Sequence, residues 1–489
     1  MSEGESAQRV SRSEPAEVSE GESAQRVSRS GGAASVDVVV LGLGVGGEDL
    51  AARLARRGLS VVAVERNLVG GECPYWGCIP SKMMIRAANV LVEGDRVNEL
   101  AGSAQVQPDF TPVADRIRDE ATSDWDDTVA ADRLEKSGAR LVRGDARLTG
   151  PSQVSVGDEV LDVSRAIVLA TGTEPVEPPI NGLAGLPYWT NHEALEAKEA
   201  PQSLLVLGGG SIGVEMAQAY SRFGTRVTVV EVGERLLARE EPEAGALVAD
   251  VFEREGITVI TGVGAERAGH DGQAFTLTLA DGRTLSGEQL LVATGRRPRV
   301  HDLGLELVGL DADQPLDVDE HQRVHGTSGD GVPLLAIGDV AGKGAFTHVA
   351  MYHSPIAERT ILGEDGPGAE YSALPRVTFT DPEVGAVGLT EAQARDAGLD
   401  VRTGSVQVPA TSRGHIHKLG NDGFIKLVAD AERGVLVGAT SAGPWGGEVL
   451  GALHVAVRGQ VPVATLRHSM WAYPTFHRGI GDALADLDL

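Results

Sequence analysis

Cysteine is almost absent from this sequence, which has only Cys73 and Cys78 in 489 residues. So low a content argues against a secreted protein stabilised by many disulfides, whereas a close pair in a cytosolic protein is more often catalytic or metal-binding. No apolar run approaches the roughly 20 residues of a membrane-spanning helix, and residues 1–30 lack the apolar core of a secretory signal. These absences predict a cytoplasmic protein without a membrane partner.

Positive charge is also scarce, because 43 lysines and arginines stand against 70 acidic residues, for a formal net charge of -27. Such a surface repels phosphate backbones, so a nucleic-acid partner is not expected. Glycine, in contrast, is abundant at 63 residues. That content is typical of an α/β protein with tight turns between strands and helices.

The N-terminal segment contains a repeat, since Ser2–Ser13 recurs without change at Ser19–Ser30. Its polarity and lack of aromatic residues predict disorder. Residues 1–35 are therefore interpreted as a tail outside the fold, and both a local duplication and a regulatory role remain open.

A strand–turn–helix–strand pattern follows the tail. Val36–Leu41 is typical of a buried strand, Glu48–Arg57 of a helix and Leu59–Val64 of a second strand that ends in Glu65. Between the first strand and the helix, three glycines match G-x-G-x-x-G: Gly42, Gly44 and Gly47. This order predicts a dinucleotide site, in which the second glycine admits a pyrophosphate and Glu65 binds ribose hydroxyls.

The same pattern recurs from residue 204. Strand Leu204–Leu207 precedes a helix that reaches Phe223, and strand Arg226–Val230 ends in Glu231. Its turn glycines are Gly208, Gly210 and Gly213. A carboxylate at Glu231 repels a 2′-phosphate, so NADH is favoured over NADPH, although the nearby Arg235 keeps NADPH open.

Cys73 and Cys78 are five residues apart, or about 7.5 Å along a regular helix, which exceeds the usual reach of a disulfide. Pro74 and Gly77 between them can distort the segment enough to close it. Zinc is a poorer interpretation because no second cysteine pair exists to complete four ligands. Buried structural thiols remain the alternative.

The segment that contains both cysteines, GGECPYWGCIPSK, resembles the redox-active segment of the pyridine nucleotide–disulfide oxidoreductases. The resemblance continues through the turns at Thr171-Gly172 and Gly295, the Gly338-Asp339 motif and the segment Phe379–Val384. It predicts an α/β fold with two Rossmann-like domains, for FAD and NAD, and a C-terminal α+β dimerisation domain. The predicted boundaries are 36–185 and 299–368 for the FAD-binding parts, 186–298 for the NAD(P)-binding domain and 369–489 for the dimerisation domain.

The resemblance also implies roles for single residues. Cys78 would be the thiolate against the flavin, and Cys73 would exchange with substrate. Lys82 would lie near flavin N5, paired with Glu215. Asp339 would hold the ribityl chain, and the helix that begins at Thr347 would direct its positive end at the flavin. A homodimer and a small-molecule electron acceptor are implied as partners, and no metal is expected.

Two departures from the family pattern put its usual chemistry in doubt. Glu72 replaces a hydroxyl that contacts phosphate. Tyr473 stands where disulfide reductases of the family have a proton-shuttling His, and Arg478 replaces the Glu that orients it. Mercuric reductases resemble this chain in having Tyr there, but they add a C-terminal cysteine pair that Gly481–Leu489 lacks.

Three functions therefore remain open. The first is an NADH-dependent flavoenzyme with a Cys73–Cys78 disulfide and an acceptor that needs no His shuttle, such as a quinone, a metal ion or an unusual disulfide. The second is a dihydrolipoamide dehydrogenase-like or other thiol–disulfide reductase in which His477 or a partner residue substitutes. The third is a flavin-carrying subunit of a larger complex.

Overall fold

The computed structural model describes residues 34–328 and 330–489, so the predicted tail lies almost entirely outside the described residues. The strands are β1 (Ala34–Leu41), β2 (Val61–Glu65), β3 (Arg140–Arg143), β4 (Ala146–Gly150), β5 (Gln153–Val156), β6 (Glu159–Leu169), β7 (Thr173–Pro175), β8 (Ser203–Leu207), β9 (Arg226–Glu231), β10 (Thr258–Thr261), β11 (Ala265–His270), β12 (Phe275–Leu279), β13 (Thr284–Gly287), β14 (Gln289–Val292), β15 (Arg296–Pro298), β16 (Leu334–Ala336), β17 (Pro375–Thr378), β18 (Glu383–Gly388), β19 (Val401–Gln407), β20 (Phe424–Asp430) and β21 (Val435–Gly443).

The α-helices are α1 (Val45–Arg56), α2 (Glu72–Tyr75), α3 (Cys78–Leu100), α4 (Thr111–Arg116), α5 (Thr128–Lys136), α6 (Asn191–Glu196), α7 (Ser211–Arg222), α8 (Pro242–Arg254), α9 (Thr347–Leu362), α10 (Glu391–Asp396), α11 (Ser412–His417), α12 (Gly446–Arg458), α13 (Val463–Arg467) and α14 (Arg478–Asp486). A π turn follows α4 at Ile117–Ala121, and short 3₁₀ turns lie at Leu305–Val308, Gly338–Ala341 and Val408–Ala410.

The first sheet has a parallel core in the order β3-β2-β1-β6, with β16 also parallel to β6 and the antiparallel pair β5-β4 beyond it. Residues 38–41 of β1 are essentially inaccessible to solvent because helices α1, α5 and α9 cover one face of the sheet, and β4, β5 and the segment 300–324 cover the other. A continuous apolar run is what such a doubly covered parallel strand requires.

The second nucleotide-binding unit is a parallel sheet in the order β10-β9-β8-β14, with an antiparallel β11-β12-β13 sheet beside it. The short antiparallel ribbon β7-β15 connects it with the first sheet. The C-terminal part is an antiparallel sheet in the order β17-β18-β21-β20-β19. The predicted α/β architecture, with an α+β C-terminal unit, is confirmed, while the exact domain boundaries stay a prediction.

The main differences from the sequence prediction are at element ends. The first helix begins at Val45 and not at Glu48, because Gly46 and Gly47 already belong to its first turn. Within the described residues, no helix combines the length and the apolar character needed to cross a bilayer.

Candidate functional site

A cavity of about 1440 Å³ lies at the carboxyl end of the first parallel sheet and extends toward α7 and the C-terminal unit. Typical ligand pockets measure roughly 300–1,000 Å³, so this one has room for a whole dinucleotide. Its lining includes the first glycine turn and the residues that the sequence predicted around a flavin, which are Cys73, Cys78, Lys82, Glu215, Asp339 and Thr347. The structure thus brings the residues expected around a flavin into one cavity.

The glycines of the first turn differ in what surrounds them. A Cβ on Gly42 would lie 2.5 Å from the Ala170 carbonyl oxygen, and one on Gly47 would lie 2.1 Å from that of Gly42. A Cβ on Gly44 would meet no atom within 4 Å. The first and third glycines therefore allow backbone to pack closely, and the second faces the open space that a pyrophosphate requires.

Glu65 is fixed at the end of β2 by two backbone amides. Its carboxylate accepts hydrogen bonds from Leu43 N at 2.7 Å and Asn67 N at 2.8 Å. The remaining lone pairs can accept ribose hydroxyls, so the residues present fit the adenosine half of FAD.

The second glycine turn repeats this geometry. A Cβ would clash with backbone at Gly208 and Gly213 but would meet nothing within 4 Å at Gly210. Glu231 accepts hydrogen bonds from Gly209 N at 2.6 Å and Gly233 N at 2.7 Å. This turn can hold a second dinucleotide.

Arg235, the residue that left NADPH open, points its guanidinium at backbone. Its Nη1 donates to the carbonyl of Leu237 at 3.0 Å and its Nη2 to that of Ala238 at 2.9 Å. These bonds occupy donors that a 2′-phosphate would need.

Cys73 and Cys78 lie on two different helices, because α2 ends at Tyr75 and α3 begins at Cys78. A Cβ on Gly77 would lie 3.2 Å from Cys73 Cα, so the chain folds back tightly at this glycine. Because the helix is interrupted between them, the two cysteines need not be as far apart as five residues of one continuous helix would place them. Both cysteines are free thiols in this structure.

The two thiols have unequal acidity. The pKa of Cys78 is lowered to about 5, chiefly by the hydrogen bond from Cys73. The hydrogen bond from the Thr347 hydroxyl and the charge of Lys82 lower it further. The same hydrogen bond and burial raise the pKa of Cys73 far above its ordinary value. Thr347 Oγ1 lies 3.3 Å from Cys78 Sγ and begins α9, whose positive end also favours a thiolate.

Lys82 on α3 and Glu215 on α7 form an ion pair of 2.8 Å beside the thiols. The Glu215 carboxylate is only 5% exposed and also accepts a hydrogen bond from Phe379 N at 2.8 Å. The Lys82 ammonium lies 4.7 Å from the Phe379 ring centroid. Because a buried charge requires a partner, this pair fixes a cation near the dithiol.

Asp339 lies deep in the cavity, where it accepts a hydrogen bond from Thr173 Oγ1 at 3.2 Å. Burial raises the pKa of its carboxyl above the ordinary value. The adjoining turns adopt left-handed backbone at Gly172 (φ +66°) and Gly295 (φ +137°). Thr171 Oγ1 donates to the Arg299 carbonyl at 2.8 Å, which ties these turns together.

Glu72, the residue with no sequence-based explanation, lies in a polar cluster. Its carboxylate is 2.9 Å from His192 Nε2, 3.4 Å from Arg296 and 3.6 Å from Arg299. Burial opposes ionisation, but the His192 hydrogen bond and the Arg296 charge outweigh it, so the pKa of Glu72 is lowered. Sequence reasoning missed His192 and Arg299 because they lie more than a hundred residues away and belong to no local motif.

Tyr473 and His477 are not among the residues that line the cavity of their own chain. The Tyr473 side chain is exposed, and His477 precedes α14. Arg478, which replaces the orienting Glu, forms an ion pair with Asp482 at 2.6 Å. Among the described residues, no carboxylate accepts a hydrogen bond from the His477 ring.

The part of the chain that the structure describes contains no group of three or more His, Cys, Asp or Glu residues arranged to hold a metal.

The fold and site define a two-dinucleotide oxidoreductase with a cysteine pair between its nucleotide sites. The family model "Pyridine nucleotide-disulphide oxidoreductase" matches residues 36–354, and that of its dimerisation domain matches residues 374–484. The chain belongs to this family, whose members are enzymes that use FAD and NAD(P)H.

Individual relatives include a dihydrolipoyl dehydrogenase of Thermus scotoductus, 35% identical over 91% of this chain and 96% of that protein. A mercuric reductase of Streptomyces lividans is 34% identical over 90% of this chain and 93% of its own length. Among solved structures, the Cu(II) complex of the HOCl-induced flavoprotein disulfide reductase RclA from Escherichia coli is similar, with a TM-score of 0.79 and 25% identity over 92% of this chain and 99% of that one.

The acidity of Cys78 gives a first prediction. In the two-electron-reduced enzyme, the long-wavelength thiolate-to-flavin absorbance should persist at neutral pH and disappear as the pH falls through about 5. Thr347→Val removes one hydrogen bond to the thiolate, worth about 1.5–3 kcal/mol, so the midpoint should rise by about one pH unit or more. Thr347→Ser keeps the hydroxyl and should behave as wild type. Equal midpoints in all three proteins would contradict the assignment.

Proposed function

We propose that this chain is an NADH-dependent FAD oxidoreductase whose Cys73–Cys78 pair cycles between disulfide and dithiol. We further propose that it passes its electrons to an acceptor that needs no histidine proton shuttle. The observation that carries the proposal is the low-pKa thiol of Cys78, placed in the cavity beside the α9 N-terminus and the Lys82–Glu215 pair.

The dithiol step balances with the groups at hand. FAD supplies the redox chemistry that carries a hydride equivalent from NADH to the disulfide. Two electrons break the Sγ–Sγ bond, one proton goes to Cys73 Sγ, and Cys78 Sγ stays a thiolate. The Thr347 hydroxyl and the Lys82 cation stabilise that thiolate, and Glu215 holds Lys82 in place.

We infer the class of electron acceptor from the presence of Tyr473. A disulfide reductase must move a proton onto and off its thiols near pH 7, and an unperturbed Tyr, with a pKa near 10, is a poor base there. No carboxylate among the described residues pairs with His477, and Arg478, where the family has its orienting Glu, pairs with Asp482 instead. A quinone, a metal ion or an unusual disulfide therefore fits better as the acceptor than a simple disulfide such as lipoamide.

The names of two relatives support a metal ion as one of these candidates, because one is a mercuric reductase and another was solved as a Cu(II) complex. The second candidate function is a dihydrolipoamide dehydrogenase-like activity, which the 35% identity to such an enzyme favours. In that case His477 or a residue of the second subunit would carry the proton.

We also propose that the working unit is a homodimer, as the dimerisation domain suggests. Tyr473 is 71% exposed in the single chain and precedes the C-terminal helix α14. In a dimer this side chain would reach the cavity of the other subunit and line its acceptor side.

Tyr473 provides the test of the proposed acceptor class. With NADH as donor, wild type should reduce a quinone at the flavin but reduce lipoamide slowly, because general acid–base help worth roughly 10²–10⁴ in rate is missing. The double variant Tyr473→His with Arg478→Glu should raise lipoamide reduction selectively. The measurement is kcat for both acceptors in parallel.

Tyr473→Phe is the matched control for this experiment. It keeps the ring and should leave quinone turnover unchanged, while any loss with a metal ion or disulfide would assign a role to the hydroxyl. If wild type already reduces lipoamide at hundreds per second, on the usual enzyme scale of roughly 1–10³ s⁻¹, the second candidate function replaces the first.

NADH preference follows from Glu231 and Arg235. The carboxylate repels a 2′-phosphate, and the guanidinium is bonded to backbone carbonyls. We expect kcat/KM to favour NADH by about tenfold or more, which corresponds to ~1.4 kcal/mol. Arg235→Ala should leave the ratio unchanged. An NADPH preference that this substitution abolishes would refute the assignment.

A further inference from the structure

The position next to the first cysteine carries an acid where the family has a hydroxyl that contacts phosphate. Gly70 pairs with Gly44 as an isolated bridge, and a Cβ on Gly71 would lie 2.7 Å from Gly44 Cα. Glu72 therefore lies one residue after the chain's contact with Gly44, the glycine that faces the space for a pyrophosphate. An ionised Glu72 beside two phosphates would weaken FAD binding unless cations compensate it.

Two arginines approach Glu72, and they differ in how their donors are used. All three guanidinium nitrogens of Arg296 already donate: its Nε and Nη2 to Thr173 at 2.9 and 3.0 Å, and its Nη1 to Asn191 at 3.1 Å. It can therefore balance charge but has little capacity to bind another anion.

Arg299 is in the opposite situation. Its Nε is fully buried without a hydrogen-bond partner among the described residues. Its guanidinium approaches carboxylates only at 3.6 Å, on Glu72 and Glu174, which exceeds hydrogen-bond distance. The side chain is 22% exposed and lines the large cavity. Because the buried Nε is closed off from the cavity as well, an anion there would bind the terminal Nη groups, which donate no hydrogen bond among the described residues.

We propose that Arg299 binds the pyrophosphate of FAD and that Glu72 is a positioning residue that holds the Arg299 guanidinium at that place. An arginine that directly follows β15 thereby makes the phosphate contact that a hydroxyl at position 72 makes elsewhere in the family. A guanidinium suits this role because it offers paired donors to phosphate oxygens.

His192 and Asn191 complete the arrangement from α6. His192 Nε2 contacts both carboxylate oxygens of Glu72, at 2.9 and 3.0 Å, and its ring stacks on Trp76 at 4.3 Å between centroids. Asn191 Nδ2 donates to the Trp76 carbonyl at 2.7 Å. These contacts hold the carboxylate still, so that Glu72 can orient Arg299 instead of turning toward the phosphates.

The experiment measures FAD affinity rather than turnover. Holoenzyme is diluted over a range of concentrations, and free FAD is read by its fluorescence after ultrafiltration. Arg299→Met removes the cation but keeps the length of the chain, and we expect FAD to bind about 10–100-fold more weakly, the worth of one charged hydrogen bond. Arg299→Lys keeps the charge and should recover most of the loss.

Arg297→Met is the matched control, because Arg297 is 58% exposed, pairs with Glu174 and does not line the large cavity. Its FAD affinity should equal that of wild type. Restoring the family hydroxyl tests the positioning role: Glu72→Thr combined with Arg299→Met should bind FAD better than Arg299→Met alone, because the repulsion has gone.

An FAD affinity of Arg299→Met within twofold of wild type would overturn the proposal. Equal losses in the Met and Lys variants would also overturn it, since packing and not charge would then be responsible. The inference rests on the FAD site of the proposed function, but retained FAD binding with no acceptor turnover would refute only that function.

Discussion

The rest of the site is arranged so that it stabilises a negative charge on Cys78 Sγ. A thiolate in a partly buried cavity is unfavourable unless nearby groups stabilise it. Three elements supply that stabilisation: the Cys73 thiol, the Thr347 hydroxyl at the start of α9 and the Lys82 ammonium. Cys73 and Lys82 flank Cys78 in the chain, whereas Thr347 is far away in sequence, so the charge at one sulfur depends on the packing of α9 against this segment.

This dependence links the two nucleotide-binding units. Lys82 belongs to the long helix α3 that follows the cysteines, whereas its partner Glu215 belongs to the helix after the second glycine turn. Glu215 in turn accepts a backbone amide from Phe379, at the start of the C-terminal unit. One buried carboxylate therefore joins the dithiol, the NAD(P)-binding unit and the dimerisation domain, and its loss would leave a cation uncompensated.

The sequence was sufficient for what depends on local motifs. Both glycine turns could be predicted, because strand, turn, helix and terminal acid follow one another within about thirty residues. The break between α2 and α3 followed from Pro74 and Gly77, although its geometry did not. The Glu72 cluster could not be predicted, since His192, Arg296 and Arg299 reach it only through tertiary packing, and the spacing of a sequence does not encode such distances. Tyr473 lies outside the cavity of its own chain, so the role we propose for it requires a second subunit.

The central claim is that Cys73 and Cys78 are redox-active with FAD. The most direct measurement is an anaerobic reductive titration followed by absorbance. The account predicts about four electrons per FAD, two for the flavin and two for the disulfide, with a long-wavelength band after the first two. Cys78→Ser should take up about two electrons and lack the band. Uptake of only about two electrons by wild type, without any such band, would contradict the account.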